Sequence, residues 1–105
     1  ILDSFTKNAV YHNIPVDPVS GLEAIRGVID GFTQGVEAIH WDVIQIAENA
    51  DGVVLTERID NFIFANGKIS LPVMGVFEIE NGKISHWRDY FDMAQFQTQM
   101  AKISE

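Results

Sequence analysis

The segment Thr56-Glu-Arg-Ile-Asp-Asn-Phe62 reads as a strand, in which side chains alternate between two faces. Arg58 and Asp60 therefore share a face with Val54, Phe62 and Phe64, a cation and a carboxylate in an otherwise apolar row. Trp87, Asp89 and Phe91 share a face in the same way, so a second carboxylate is flanked by aromatic rings. Near the start, Tyr11 and Asn13 face together if their segment is extended, with His12 on the other side. Most charges in strands are solvated, and an ordinary ion pair of Arg58 with Asp60, or a surface pairing of Asp89, accounts for the spacing alone. For Tyr11 and Asn13 the default is a turn-forming Asn close to Pro15. The apolar company of the charges argues for burial, which costs several kcal/mol per ion unless the charges are paired. Two carboxylates with separated pKa values can supply an acid and a base at one site.

Other chemistries find little material. His12, His40 and His86 fall on separate elements without ligand spacing, so a metal site is not expected, and His40 and His86 read as surface or inter-strand residues. There is no cysteine, which removes disulfides, thiolate metal sites and a cysteine nucleophile. No Gly-x-Ser-x-Gly elbow, phosphate-cradling loop or dinucleotide fingerprint is present, leaving cofactor-free chemistry. The formal net charge is −8 and the seven Lys and Arg are scattered singly, so a nucleic-acid partner is not expected. No apolar run reaches membrane-spanning length and nothing resembles a signal peptide, which with the cysteine-free composition fits a cytoplasmic protein without a membrane partner.

With 105 residues, 47% hydrophobic and 21% charged, the chain has the size and composition of one globular domain over 1–105. Ser20 and Glu23 have capping-box spacing, and Leu22, Ile25, Ile29, Phe32 and Val36 follow at helical spacing, predicting a helix that ends near Gly35. Gly27 and Gly31 weaken it. Strands are expected over Ile39–Ala47, Val53–Phe64, Ile69–Glu80 and Lys83–Phe91, separated by Asn49-Ala-Asp-Gly52, Ala65-Asn-Gly-Lys68 and Asn81-Gly82, all hairpin-type turns. Pro72 removes a ladder donor and predicts a bulge or an edge there. Asp92 can cap a final helix bearing Met93, Phe96 and Met100. A helix followed by a long meander predicts an α+β fold with helices on one face of the sheet. The opening Ile1-Leu-Asp-Ser-Phe-Thr-Lys-Asn has no initiating methionine, and a preceding helical segment is expected.

Taken together, Tyr11-His-Asn-Ile-Pro, Leu55-Thr-Glu-Arg-Ile-Asp60, Leu71-Pro-Val-Met-Gly-Val-Phe77 and Trp87-Arg-Asp-Tyr-Phe-Asp92 resemble the limonene-1,2-epoxide hydrolase family. The resemblance runs from about Tyr11 to Asp92, and the ordered trio Tyr-x-Asn, Arg-x-Asp and Trp-x-Asp carries most of its specificity. It implies an NTF2-like cone, a curved mixed or antiparallel sheet with helices packed on its concave face. It also implies that Asp89 is the general base, that Tyr11 and Asn13 hold the attacking water, that Asp60 protonates the epoxide oxygen and that Arg58 bridges the carboxylates.

Trp87 matches a pocket-wall position, and Phe62, Phe64, Met74, Val76 and Phe91, with Val54, are the inferred lining for a small apolar or cyclic epoxide. A homodimer through the outer sheet face is implied too, consistent with Val53, Leu55 and Ile59 opposite Val54 and Phe62. The fold alone would equally host a polyketide cyclase, a steroid-isomerase-like enzyme or a non-catalytic apolar ligand-binding module. The first two need a base and an oxyanion donor but have no use for a water-holding pair. A binding module would tolerate neutral residues at 60 and 89.

Overall fold

Strand-forming runs of Val, Ile, Phe and Trp broken by tight turns make up most of the chain, and its last four strands hydrogen-bond in sequence order. The computed structural model describes residues 2–104; Ile1 and Glu105, and with them the segment expected ahead of Ile1, lie outside. A short 3-10 turn at Leu2–Ser4 leads into β1 (Phe5–Asn13), β2 (Val19–Ser20), α1 (Leu22–Thr33), β3 (Val36–Glu48), β4 (Val54–Phe64), β5 (Gly67–Glu80), β6 (Lys83–Tyr90) and α2 (Met93–Ser104). The six strands form one sheet in the order β2-β1-β6-β5-β4-β3. The pairings from β3 to β6 are antiparallel, whereas β1 runs parallel to β6, which makes the sheet mixed.

Each expected strand is found with its ends moved by a few residues. β3 extends at both ends, and Val36, expected on the helix, is its first residue. Asn81 (φ 53°) and Gly82 (φ 79°) both take left-handed backbone, as a two-residue hairpin turn between twisted strands requires. The β4–β5 turn is instead Ala65-Asn66, because Gly67 already pairs with Phe64. Ser20 does not cap α1: it pairs with Val10 in β2, and Gly21 is the N-cap without a side-chain bond. Pro72 lies beyond the last β5–β6 pair, Met74 with Tyr90, so the edge expectation holds and the β4–β5 register runs through it without a bulge.

Two buried clusters flank the centre of the concave face. Phe5, Ala9, Tyr11, Ile25 and Trp87 form one, under α1. Ile69, Leu71 and Val73 form the other, with Phe96, Met100 and Ile103 of α2 packed on them. Asp92 accepts a bond from the Ala94 N–H at the start of α2, as its capping role predicts. The side-chain amide of Gln99 then donates to the Ser70 carbonyl (2.9 Å) and accepts from the Ser70 N–H (2.8 Å). It mimics a strand where β5 has outrun β6, blunting an otherwise open edge.

Candidate active site

Between the clusters, cross-strand register lines up the polar residues. Residues directly opposite each other in a sheet project to the same side. Arg58 on β4 faces Val73 on one flank and Val43 on the other, and Asp60 is likewise set between Leu71 and Trp41. Asn13 on β1 is beside Asp89 on β6, and Tyr11 is beside Trp87. The sequence-predicted set Tyr11, Asn13, Arg58, Asp60, Trp87 and Asp89 is thereby gathered on one face, and every member is buried.

The Arg58 side chain is fully enclosed and stands between the two carboxylates. Its Nε and Nη2 donate to Asp60 at 2.9 and 2.8 Å, a bidentate pairing. Nη2 and Nη1 also donate to Asp89 at 3.0 and 3.2 Å. The Trp41 ring covers the guanidinium with 3.9 Å between Cζ and the ring centroid, a cation–π contact. Asp89 accepts a further, short bond of 2.7 Å from the Trp87 indole N–H. Trp87 is the hub of an aromatic cluster in which Tyr11 stacks on it at 4.4 Å, Phe77 at 5.4 Å and Phe5 at 5.9 Å, while Trp41 meets it edge-on.

Burial raises the Asp89 carboxyl above its ordinary value despite the opposing pull of Arg58 and Trp87, and Asp60 adds to the rise. Burial, reinforced by Asp89, pushes the Tyr11 hydroxyl up to about 12, so it stays neutral. Arg58 is held charged by its two aspartates, which outweigh its own burial.

Tyr11, Asn13, Asp60, Trp87 and Asp89 line an apolar cavity of about 430 Å³. Ile29, Phe32 and Thr33 of α1, Phe96 of α2 and Phe62, Leu71, Val73 and Phe91 wall it, with Ile39 and Trp41 on β3. Phe62, Phe91 and Trp87 thus line it as expected. Phe64 lines the adjoining cavity between the helices instead. Met74 and Val76 lie outside both cavities, because their neighbours Val73 and Gly75 are the ones paired with Arg58 and Thr56. Met74 is exposed on the convex face. The two-residue turn at Ala65-Asn66 sets this register, and counting back from it would have selected Leu71 and Val73. Trp41 was also missed, although pairing outward from Asp60 finds it.

Elsewhere His12 bonds the Val16 carbonyl, His40 pairs with Asp42 at 2.7 Å, and His86 approaches Glu78 across the β5–β6 ladder. Among the described residues no group of three or more His, Asp and Glu side chains is placed to hold a metal ion. No helix among them is long and apolar enough to cross a membrane.

The architecture is that of the NTF2-like α+β cones, with the sheet curled but not closed. A SnoaL-like polyketide cyclase fold from Shewanella putrefaciens superposes with a TM-score of 0.81 over 96% of this chain and 73% of that one, at 13% identity. An epoxide hydrolase of the LEH-like type from Mycobacterium tuberculosis superposes with a TM-score of 0.78, covering 96% of this chain and 75% of that one, at 27% identity. The sequence places the chain more narrowly. Residues 3–102 match the limonene-1,2-epoxide hydrolase catalytic domain, and the chain belongs to that family. It is also 51% identical over 45 residues to epoxide hydrolase EphG of M. tuberculosis, a match spanning 42% of this chain and 30% of that protein.

Proposed function

We propose that the domain is a cofactor-independent epoxide hydrolase that converts a small or cyclic apolar epoxide to a vicinal diol in one step. The observation that carries this reading is the Asp60–Arg58–Asp89 bridge at an apolar cavity wall, with Asn13 beside Asp89 and Tyr11, stacked on Trp87, lining the same cavity. An epoxide is strained, but its alkoxide is a poor leaving group at neutral pH, so the ring oxygen needs a proton as it departs. Water is a weak nucleophile and needs a base at the same moment. Asp89 removes a proton from a water held by Tyr11 and Asn13, and the water oxygen bonds to a ring carbon. The bond between that same carbon and the ring oxygen, on the side away from the water, breaks; its electron pair takes the Asp60 proton, and the attacked carbon is inverted. The proton then returns from Asp89 to Asp60, which Arg58 joins through its bonds to both.

Trp87 orients the base and holds Tyr11 by stacking. A cyclase or isomerase reading leaves the Tyr11–Asn13 pair without a role, and a binding module has no use for two buried aspartates on one cation. The reading includes a cytoplasmic setting and a homodimer formed through the convex face, where Leu55, Met74 and Tyr90 are exposed. Light scattering on wild type and Met74→Lys tests the dimer.

The activity is tested with limonene-1,2-epoxide and cyclohexene oxide, scoring trans-diol formation. Wild type is expected to turn over at least one of them, and folded Asp89→Asn and Asp60→Asn to be inactive. A wild type inert toward epoxides across a range of sizes contradicts the reading, as does an Asp89→Asn variant of full activity.

A further inference from the structure

Thr56 and Gly75 take no step in the proposed reaction, yet both meet its central cation. Gly75 lies on β5 between Thr56 of β4 and Asp89 of β6, in register with each. A Cβ built on Gly75 would overlap Arg58 Nη1 and stand 2.8 Å from both Asp89 Oδ1 and Thr56 Oγ1, closer than real Cβ atoms come. A glycine inside a strand often marks such a close approach. Here the space of the missing side chain is filled by the guanidinium.

Arginine has five N–H donors and no acceptor. Four are directed at Asp60 and Asp89, and the remaining one, on Nη1, reaches Thr56 Oγ1 at 3.2 Å. Thr56 Oγ1 is itself 3.5 Å from the Gly75 carbonyl, toward which its own hydrogen is directed, leaving a lone pair for Arg58. Thr56 is buried, so no solvent can replace its oxygen. With Nη1 shared between Thr56 and Asp89, the guanidinium stands off from Asp89 (3.0 and 3.2 Å) relative to Asp60 (2.8 and 2.9 Å).

From this geometry we infer that Thr56 is a positioning residue for the reaction, holding the Arg58 guanidinium in a seat that exists because position 75 is glycine. The inference rests on the epoxide hydrolase reading for its kinetic consequence. The titratable and charged groups around Asp89 are Arg58 and Asp60 on β4 and Tyr11 on β1. Of these only Arg58 is touched by Thr56. Removing the Thr56 oxygen takes away one of the two acceptors that fix Nη1, so the guanidinium is no longer held in place between the carboxylates and Asp89 is kept ionised less well.

Thr56→Val keeps the volume and deletes the acceptor, whereas Thr56→Ser keeps the acceptor. For Thr56→Val we expect kcat to fall about tenfold, the scale of one hydrogen bond to a charged group, with KM little changed. The acid limb of its kcat/KM profile should move to higher pH, because Arg58 is what holds the Asp89 carboxyl down. Thr56→Ser should restore both. A folded Thr56→Val with wild-type kcat and acid limb overturns the inference, and so does a Thr56→Ser as impaired as Thr56→Val. NMR of the Arg58 Nε–H and Nη–H signals reads the seat without turnover. Slow rotation about Cζ–Nη1 is expected in wild type and Thr56→Ser, and fast rotation in Thr56→Val. Unchanged rotation in Thr56→Val overturns the seat. Should wild type hydrolyse no epoxide, the hydrolase reading fails and the rotation rates alone decide the seat. Gly75→Ala is expected to lose the slow rotation and unfold at lower temperature; wild-type behaviour in both also overturns the inference.

Discussion

Asp89 accepts N–H donors from Trp87 and Arg58, and its carboxyl is still raised above its ordinary value, because burial outweighs them. The folded state therefore favours the neutral carboxyl relative to the unfolded chain. Its contribution to stability is present below the ordinary value of 3.8 and is lost as pH rises through the raised value. Denaturant titrations across that window should show this loss, and Asp89→Asn should flatten it. The proposed reaction runs the other way, since it needs Asp89 ionised as its base, and the acid limb of kcat/KM should lie above 3.8. Tyr11, at about 12, should set no alkaline limb; Tyr11→Phe should lower kcat about tenfold and leave the profile's shape intact. Arg58→Ala leaves two buried carboxylates without their cation and should destabilise the fold by about 3–5 kcal/mol in chemical denaturation.

Much of this site can be read along single strands. Alternation puts Arg58 with Asp60, Trp87 with Asp89 and Tyr11 with Asn13. Their meeting depends on partners far apart in sequence, including the parallel β1–β6 pair, and was carried only by the family resemblance. Met74 and Val76 were misplaced for a related reason. An apolar run such as Leu71-Pro-Val-Met-Gly-Val-Phe77 has no alternation to say which half faces inward.

Among the elements, α2 tests how far helix packing supports the site. Gln99 makes two bonds to the free edge of β5, next to Leu71 on the cavity wall. Gln99→Ala should cost about 1–2 kcal/mol and speed hydrogen exchange at the Ser70 amide before it affects turnover. Element identity was legible because turn residues punctuate the strands, but ends were not. Ser20 looks like an N-cap locally, yet pairing with Val10 satisfies it in β2 instead. Asn66-Gly67 carries a hairpin signature, yet Gly67 is the first residue of β5 and the turn lies one position earlier. In both places cross-strand hydrogen bonds, which no local pattern encodes, decided the boundary.

Across the whole molecule, the curled sheet and two helices frame the cavity of about 430 Å³ beside Asp60 and Asp89 and a neighbouring one of about 380 Å³. Phe32, Phe62 and Phe96 border both, and Phe96 meets Phe32 and Phe91 edge-on. Phe96→Ala should join the spaces and shift preference toward bulkier epoxides, read as the ratio of kcat/KM for limonene-1,2-epoxide over cyclohexene oxide. An unchanged ratio would mean that the wall does not limit substrate size.

In the proposed reaction water, activated by Asp89, attacks the epoxide directly and no bond forms between enzyme and substrate. A single turnover in ¹⁸O-water, with enzyme in excess over epoxide, separates this route from one through a covalent ester. Direct attack puts one solvent oxygen in the first diol formed and leaves Asp60 and Asp89 unlabelled in the recovered protein. A first diol without label, its new oxygen drawn from an aspartate, would contradict direct attack and indicate a covalent ester.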